Sequence, residues 1–143
     1  MLTDEQRTVA ASLIWLLKGD AGQRALIAWS MGWGAARAAS DERWMPPYLA
    51  LLLDDPYDAV RLIASRSLRS LPDVPAFSYD FNAPSAQRIA AARTGVDAWQ
   101  RRKVPVDRPN DAALLLDEDG WPRFERVFTL LRQRDNRRVN LRE

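Results

Sequence analysis

Leu52-Leu53-Asp54-Asp55-Pro56-Tyr57-Asp58-Ala59-Val60-Arg61-Leu62-Ile63-Ala64 is the stretch on which the fold turns. Asp54-Asp55-Pro56 closes one apolar run, and proline at a first turn opens the next helix without a missing hydrogen bond. Beyond it, Val60, Ile63, Ala64, Ser67 and Leu71 fall within about a third of a helical wheel, so this helix has one core-facing arc. The same order stands 36 residues earlier: Leu16-Leu17 matches Leu52-Leu53, and Leu26-Ile27-Ala28 matches Leu62-Ile63-Ala64. Asp4-Glu5-Gln6-Arg7 likewise lies over Ser40-Asp41-Glu42-Arg43. A period in this range marks stacked helical units, none of which can bury its apolar face alone.

Outward from the repeat, the 143 residues read as a single all-α domain. The first repeat covers 3–34. Thr3 caps a helix over about 4–18, Gly19-Asp20-Ala21-Gly22 breaks it, and Gln23 to Gly32 forms the second helix of a hairpin. The second repeat covers 40–71, with Ser40 as N-cap, Pro46-Pro47 in the first turns, and a helix from about Pro56 to Ser70 halted by Leu71-Pro72. An ordered loop over 72–84 carries Phe77, Tyr79 and Phe81 at alternating positions. A helix over 85–102 places Ile89, Ala92, Val96 and Trp99 on one stripe. The loop 103–120 contains Leu114-Leu115-Leu116, readable as a short strand or a helical turn. A last helix over 121–134 turns Phe124, Val127, Phe128 and Leu131 inward, and 135–143 is a charged tail.

Composition narrows the chemistry. The chain has no cysteine and no histidine, which removes thiol chemistry, disulfides and the usual zinc and triad arrangements. Catalysis would fall to carboxylates such as Asp54, Asp55 and Asp58, which are better placed as turn formers and caps. No enzymatic activity, cofactor or metal is expected. Asp117, Asp119 and Gly120 resemble part of a calcium loop, but the glycine falls at the wrong position and Phe128 stands where the closing glutamate belongs. Lys and Arg total 21 against 19 Asp and Glu, a net charge of +2, so the whole chain is no strong polyanion binder. Only residues 101–143 form a basic block, with eleven Lys and Arg against eight acids. Acidic residues at the start and the shortness of the Leu13–Leu17 run argue against a secretory signal or membrane insertion. On that reading a full-length chain is cytoplasmic, and a fragment of an exported protein would be periplasmic.

The Asp-Pro turn, the Val60-Arg61 pair and the Ala64 and Leu68 positions resemble a HEAT repeat. The first copy departs from that pattern, with Arg24-Ala25 in place of Val-Arg. The resemblance implies a short α-solenoid of HEAT-like hairpins with extra C-terminal helices, acting as a scaffold that receives a protein partner. Leu114 to Gly120, then Arg134-Asp135-Asn136-Arg137 and Leu141 to Glu143, also look like the C-terminal HEAT-bearing part of some bacterial multihaem c-type cytochromes. The haem-attachment motif of those proteins is absent, so that likeness implies an accessory role beside such an electron-transfer partner and no bound haem.

Opposite the core arc of the second repeat lie Asp58, Leu62, Ser65, Arg66 and Arg69; the corresponding face of the first repeat carries Gly22, Leu26, Trp29 and Trp33. Two readings stand. Either the C-terminal helices cover these apolar residues, or they form a partner-binding stripe anchored by Trp29 and Trp33. A second candidate surface is Trp121 with Arg126 and the tail arginines Arg134, Arg137 and Arg138, which could stack on bases and contact phosphates. Asp135 and Glu143 dilute that charge, which makes nucleic acid the runner-up to a protein partner.

Overall fold

The computed structural model describes residues 1–72, 74–101 and 111–138. Among them the regular structure is helical: α1 (Asp4–Thr8), α2 (Ala11–Lys18), α3 (Ala21–Met31), α4 (Gly34–Ser40), α5 (Met45–Leu51), α6 (Asp58–Ser70), α7 (Ser85–Gln100) and α8 (Phe124–Leu131). Extended pairing among the described residues is one isolated bridge, Leu116 with Pro122. No described helix is long and apolar enough to cross a membrane. The chain divides into two compact units, 1–27 with 105–143 and 28–104.

In the first unit, Thr3 and Gln6 form a reciprocal capping box that starts α1. The helix expected over 4–18 is two helices. Val9 and Ala10 adopt extended backbone angles, which buries Val9 and gives the Ala10 N–H to the Ala113 carbonyl at 2.8 Å instead of to an i−4 partner. Asp20 and Gln23 form a second reciprocal box, Gln23 N to Asp20 Oδ1 at 2.8 Å and Asp20 N to Gln23 Oε1 at 3.0 Å. That box starts α3 at Ala21, two residues before the expected Gln23. α2 packs against α8, and Leu13, Leu16 and Leu17 of the one and Val127 and Leu130 of the other are buried.

The last helix begins at Phe124, not Trp121. Trp121-Pro122-Arg123 turn back instead, with Asp117 N to Trp121 O and Arg123 N to Leu115 O both at 2.7 Å. Gly120 takes the left-handed conformation this reversal needs, at φ 80°. The Leu114–Leu116 run is therefore a turn leading into a single bridge. α8 buries Val127 and Leu130 but exposes Phe128, which the sequence reading placed inside. The loop expected over 103–120 is described from Asp111 and the tail over 135–143 as far as Arg138; Arg102, the last residue of the expected 85–102 helix, also lies outside the described residues.

In the second unit, α5 packs against both α6 and α7. Pro46 and Pro47 occupy its first turn, where no backbone donor is needed, and both are buried. Ser40 closes α4 rather than capping the next helix, its Oγ donating to Ala36 O at 2.7 Å. Asp41 at φ 55° takes over, accepting from Arg43 N and pairing with the Arg43 guanidinium at 2.8 Å. Tyr48 is fully buried beside Trp44, and burial pushes its phenol well above the ordinary range. Trp99 anchors α7, with its indole N–H donating to Arg43 O at 2.8 Å. The expected α7 stripe is narrower than read, because Ile89 is exposed and Trp99 is its buried member.

α6 is covered on more than its expected arc. Val60, Ala64, Ser67 and Leu71 are buried as read, whereas Ile63 is half-buried. Ser65, placed on the outward side, is also buried. The loop after α6 is tied back to this region: Arg69 lies over the Phe77 ring at 5.6 Å, Tyr79 donates its hydroxyl to Leu53 O at 2.7 Å, and Arg61 reaches Phe81 O at 2.7 Å.

Burial repeats at the interval of the sequence. Val9, Leu13, Leu16, Leu17, Arg24, Ala28 and Met31 are buried, and so are Met45, Leu49, Leu52, Leu53, Val60, Ala64 and Ser67, each 36 positions later. Each repeat also buries one arginine near the start of its second helix. Arg24 donates to Gly19 O at 2.6 Å and Asp135 O at 2.9 Å; Arg61 donates to Asp55 O at 2.7 Å, Pro56 O at 3.0 Å and Phe81 O. Both reach a carbonyl five residues back, in the turn before their helix. A buried guanidinium is costly unless its donors are met, and these carbonyls meet them.

Candidate partner-binding surface

α3 ends at Met31 and a tight turn follows, with Gly32 N donating to Trp29 O and Trp33 N to Ser30 O, both at 3.0 Å. Gly32 is required by space. A Cβ there would stand 2.6 Å from Ser67 Oγ and 3.2 Å from Ser67 Cα, so the turn abuts α6 directly. Trp33 then takes an extended conformation as the N-cap of α4, with its carbonyl accepting from Arg37 N at 3.1 Å. Arg37 braces α4 in turn, donating to Ser70 O at 2.7 Å and lying 3.4 Å from the Glu42 carboxylate.

This scaffold brings two indoles together. Trp29 and Trp33 stack with ring centroids 6.1 Å apart and planes inclined by 22°. They are nonetheless 57% and 58% exposed. Leu26, one turn earlier on α3 but in the other unit, is 52% exposed. Stacked indoles hold one another's rotamers, so a ligand meeting this pair orders little that is not already ordered.

Leu62 is half-buried and Arg66 exposed, while Arg69 is committed to Phe77 and donates to Tyr79 O at 3.2 Å. No family model, curated protein or solved structure matches this chain. The reading of the surface therefore rests on its own geometry.

Trp121, 36% exposed, has its backbone N–H held by Asp117 Oδ1 at 2.9 Å, and Arg126 is exposed on α8. Of the tail arginines, Arg134 donates to Asn136 Oδ1 at 2.9 Å and Arg137 grips Asp135 through two nitrogens at 2.6 and 3.0 Å. Hydrogen bonds from Arg137 hold the Asp135 carboxyl down at about 2. Asp135 also gives its N–H to Lys18 O at 3.1 Å, so this segment is tied to the end of α2; Arg138 is exposed.

The carboxylates weighed for chemistry are engaged in the fold. Asp54 accepts from Ser85 Oγ at 2.9 Å and pairs with Arg88 at 2.9 Å, Asp55 is buried and accepts from Tyr57 N, and Asp58 accepts from Ala59 N. Asp117 Oδ1 accepts from Asp119 N as well as Trp121 N, which makes it a turn former. Among the described residues no three acidic side chains gather where they could hold a metal ion.

The buried arginines are what sequence reasoning undervalued. Arg61 belonged to a noticed pair, yet Arg24 read as a departure from the pattern. The signal available was an arginine in each copy at adjacent register, 24 and 61, just inside a helix that follows a turn.

Proposed function

We propose that this protein is a noncatalytic protein-interaction module, a short α-solenoid of HEAT-like hairpins with extra C-terminal helices, and that Trp29 and Trp33 anchor its partner. The observation that carries the reading is the exposed indole stack on a braced turn. Tryptophan is enriched among residues that dominate binding energy, and leaving two large rings in water together is unfavourable unless another surface meets them. Support for the repeat architecture comes from the burial pattern, which recurs at 36 residues, and from the buried arginine in each copy. The noncatalytic part is supported by the lack of histidine and cysteine and by the structural engagement of Asp54, Asp55 and Asp58.

The test is retention of a partner from lysate of the source organism by tagged wild-type protein and by Trp33→Ala. A stoichiometric protein retained by the wild type and lost by the variant, with both melting alike, is the expected result. A haem-positive partner would narrow the reading to the cytochrome likeness. Retention abolished by nuclease would displace this reading in favour of nucleic-acid binding through the Arg-rich C-terminal end.

A further inference from the structure

A separate surface lies in the first unit. Phe124 and Phe128 stack on α8 with centroids 6.0 Å apart and planes at 26°. Phe128 is 42% exposed, and Trp121 is exposed at the entrance to the same helix. Phe124 and Phe128 follow helical spacing along α8 towards Arg132 at its C-cap, and Trp121 stands in the reversal that precedes the helix.

Charge around this row is ordered by end. Asp117, Glu118 and Asp119 precede the helix, and Arg132, Arg134 and Arg138 follow it beside an Arg137 that is paired with Asp135. The described stretch 111–138 holds six arginines and six carboxylates, so it has no net charge to attract a partner of one sign. A polyanion drawn to the arginines would meet three carboxylates at the other end. A partner satisfies both ends only if its own charges run in the opposite order beside an apolar row. The same segment of a second copy, turned by a two-fold axis, has that arrangement. Acidic end then meets basic end twice, and the aromatic rows meet between them.

We infer that this protein pairs with a second copy of itself, antiparallel, through the exposed Phe128 and half-buried Phe124 of α8 together with Trp121 in the turn before it. The helix is only about 12 Å long, so the interface is of the small, transient class and the association is concentration-dependent in the micromolar range.

Sedimentation of the full chain from micromolar to millimolar concentration tests this. The wild type is expected to pass from monomer to dimer, and Phe128→Glu to remain monomeric with an unchanged melting temperature. Charge reversal supplies a test that does not depend on a loss. Glu118→Lys with Asp119→Lys in one chain, and Arg132→Glu with Arg138→Glu in another, should each be monomeric alone, because like charges then face at both ends. Mixed in equal amounts they should form a heterodimer. A wild type that stays monomeric throughout, a Phe128→Glu chain that dimerises normally, or a mixture that stays monomeric overturns the inference. So does a monomeric wild type that binds single-stranded nucleic acid through Arg132 and Arg138.

Discussion

Gly32 and Gly95 permit one chemical change, the addition of a methyl group, with opposite expected signs. At Gly95, inside α7, a Cβ would lie 3.7 Å from Ala50 Cβ and 4.0 Å from Leu68 Cδ2, ordinary contact distances. Alanine there gains helix propensity of about 1 kcal/mol and some methyl burial, so Gly95→Ala should stabilise by about 1–1.5 kcal/mol. The melting temperature should rise by about 3–5 °C. At Gly32 the added carbon would meet Ser67 at 2.6 Å from Oγ, 3.1 Å from Cβ and 3.2 Å from backbone Cα. The side chain can rotate away, but the backbone can yield only by separating the turn from α6. Such overpacking costs about 2 kcal/mol, a fall of about 4–8 °C. Adding Ser67→Ala to Gly32→Ala removes the closest contact and should recover part of the loss. Calorimetry on the four chains checks this. Shifts of the same sign at both glycines, or a fall at Gly95, would refute the packing of α3, α5, α6 and α7 from which the magnitudes are worked.

Arg61→Ala leaves the carbonyls of Asp55, Pro56 and Phe81 without their donor and should cost about 3 kcal/mol in denaturant unfolding, with Arg61→Lys recovering only part. The Asp135 carboxyl should titrate by NMR at about 2 and return towards the ordinary carboxylate value in Arg137→Ala. Because the native value is the depressed one, this pair contributes stability above the ordinary carboxylate range and loses it as pH falls towards about 2. A Trp121→Ala chain should melt like the wild type yet dimerise more weakly, as sedimentation would measure.

Helical character and the buried positions of both repeats were legible because they depend on periodicity, which the sequence states outright. Leu16-Leu17 and Leu52-Leu53 are fully buried in both copies, as their matching position implied. Errors arose where a particular hydrogen bond or contact outweighed the pattern. The 4–18 helix breaks because Ala10 finds an acceptor at Ala113, more than a hundred residues along the chain, and no local rule sees that partner. Ser65 is buried although the spacing put it on the outward side, and the contacts that tie Tyr79 to Leu53 and Arg61 to Phe81 were not deducible from spacing either. The start of α8 shifted because Trp121-Pro122 served a reversal around Gly120 rather than a helical first turn. Within the candidate site, Trp29 and Trp33 were legible as a pair four residues apart. Their exposure was not, since a pattern of outward positions cannot tell a solvent face from one covered by another element.

The affinity of the retained partner for wild type, Trp29→Ala and Trp33→Ala, measured beside the melting curve of each, bears most directly on the indole stack as an anchor. Each truncation should weaken binding tenfold or more, about 1.4 kcal/mol or above, while the melting temperature stays within about one degree. Unchanged affinity together with a fall of several degrees would contradict the account, because it would make the two indoles part of the packing and not of the contact.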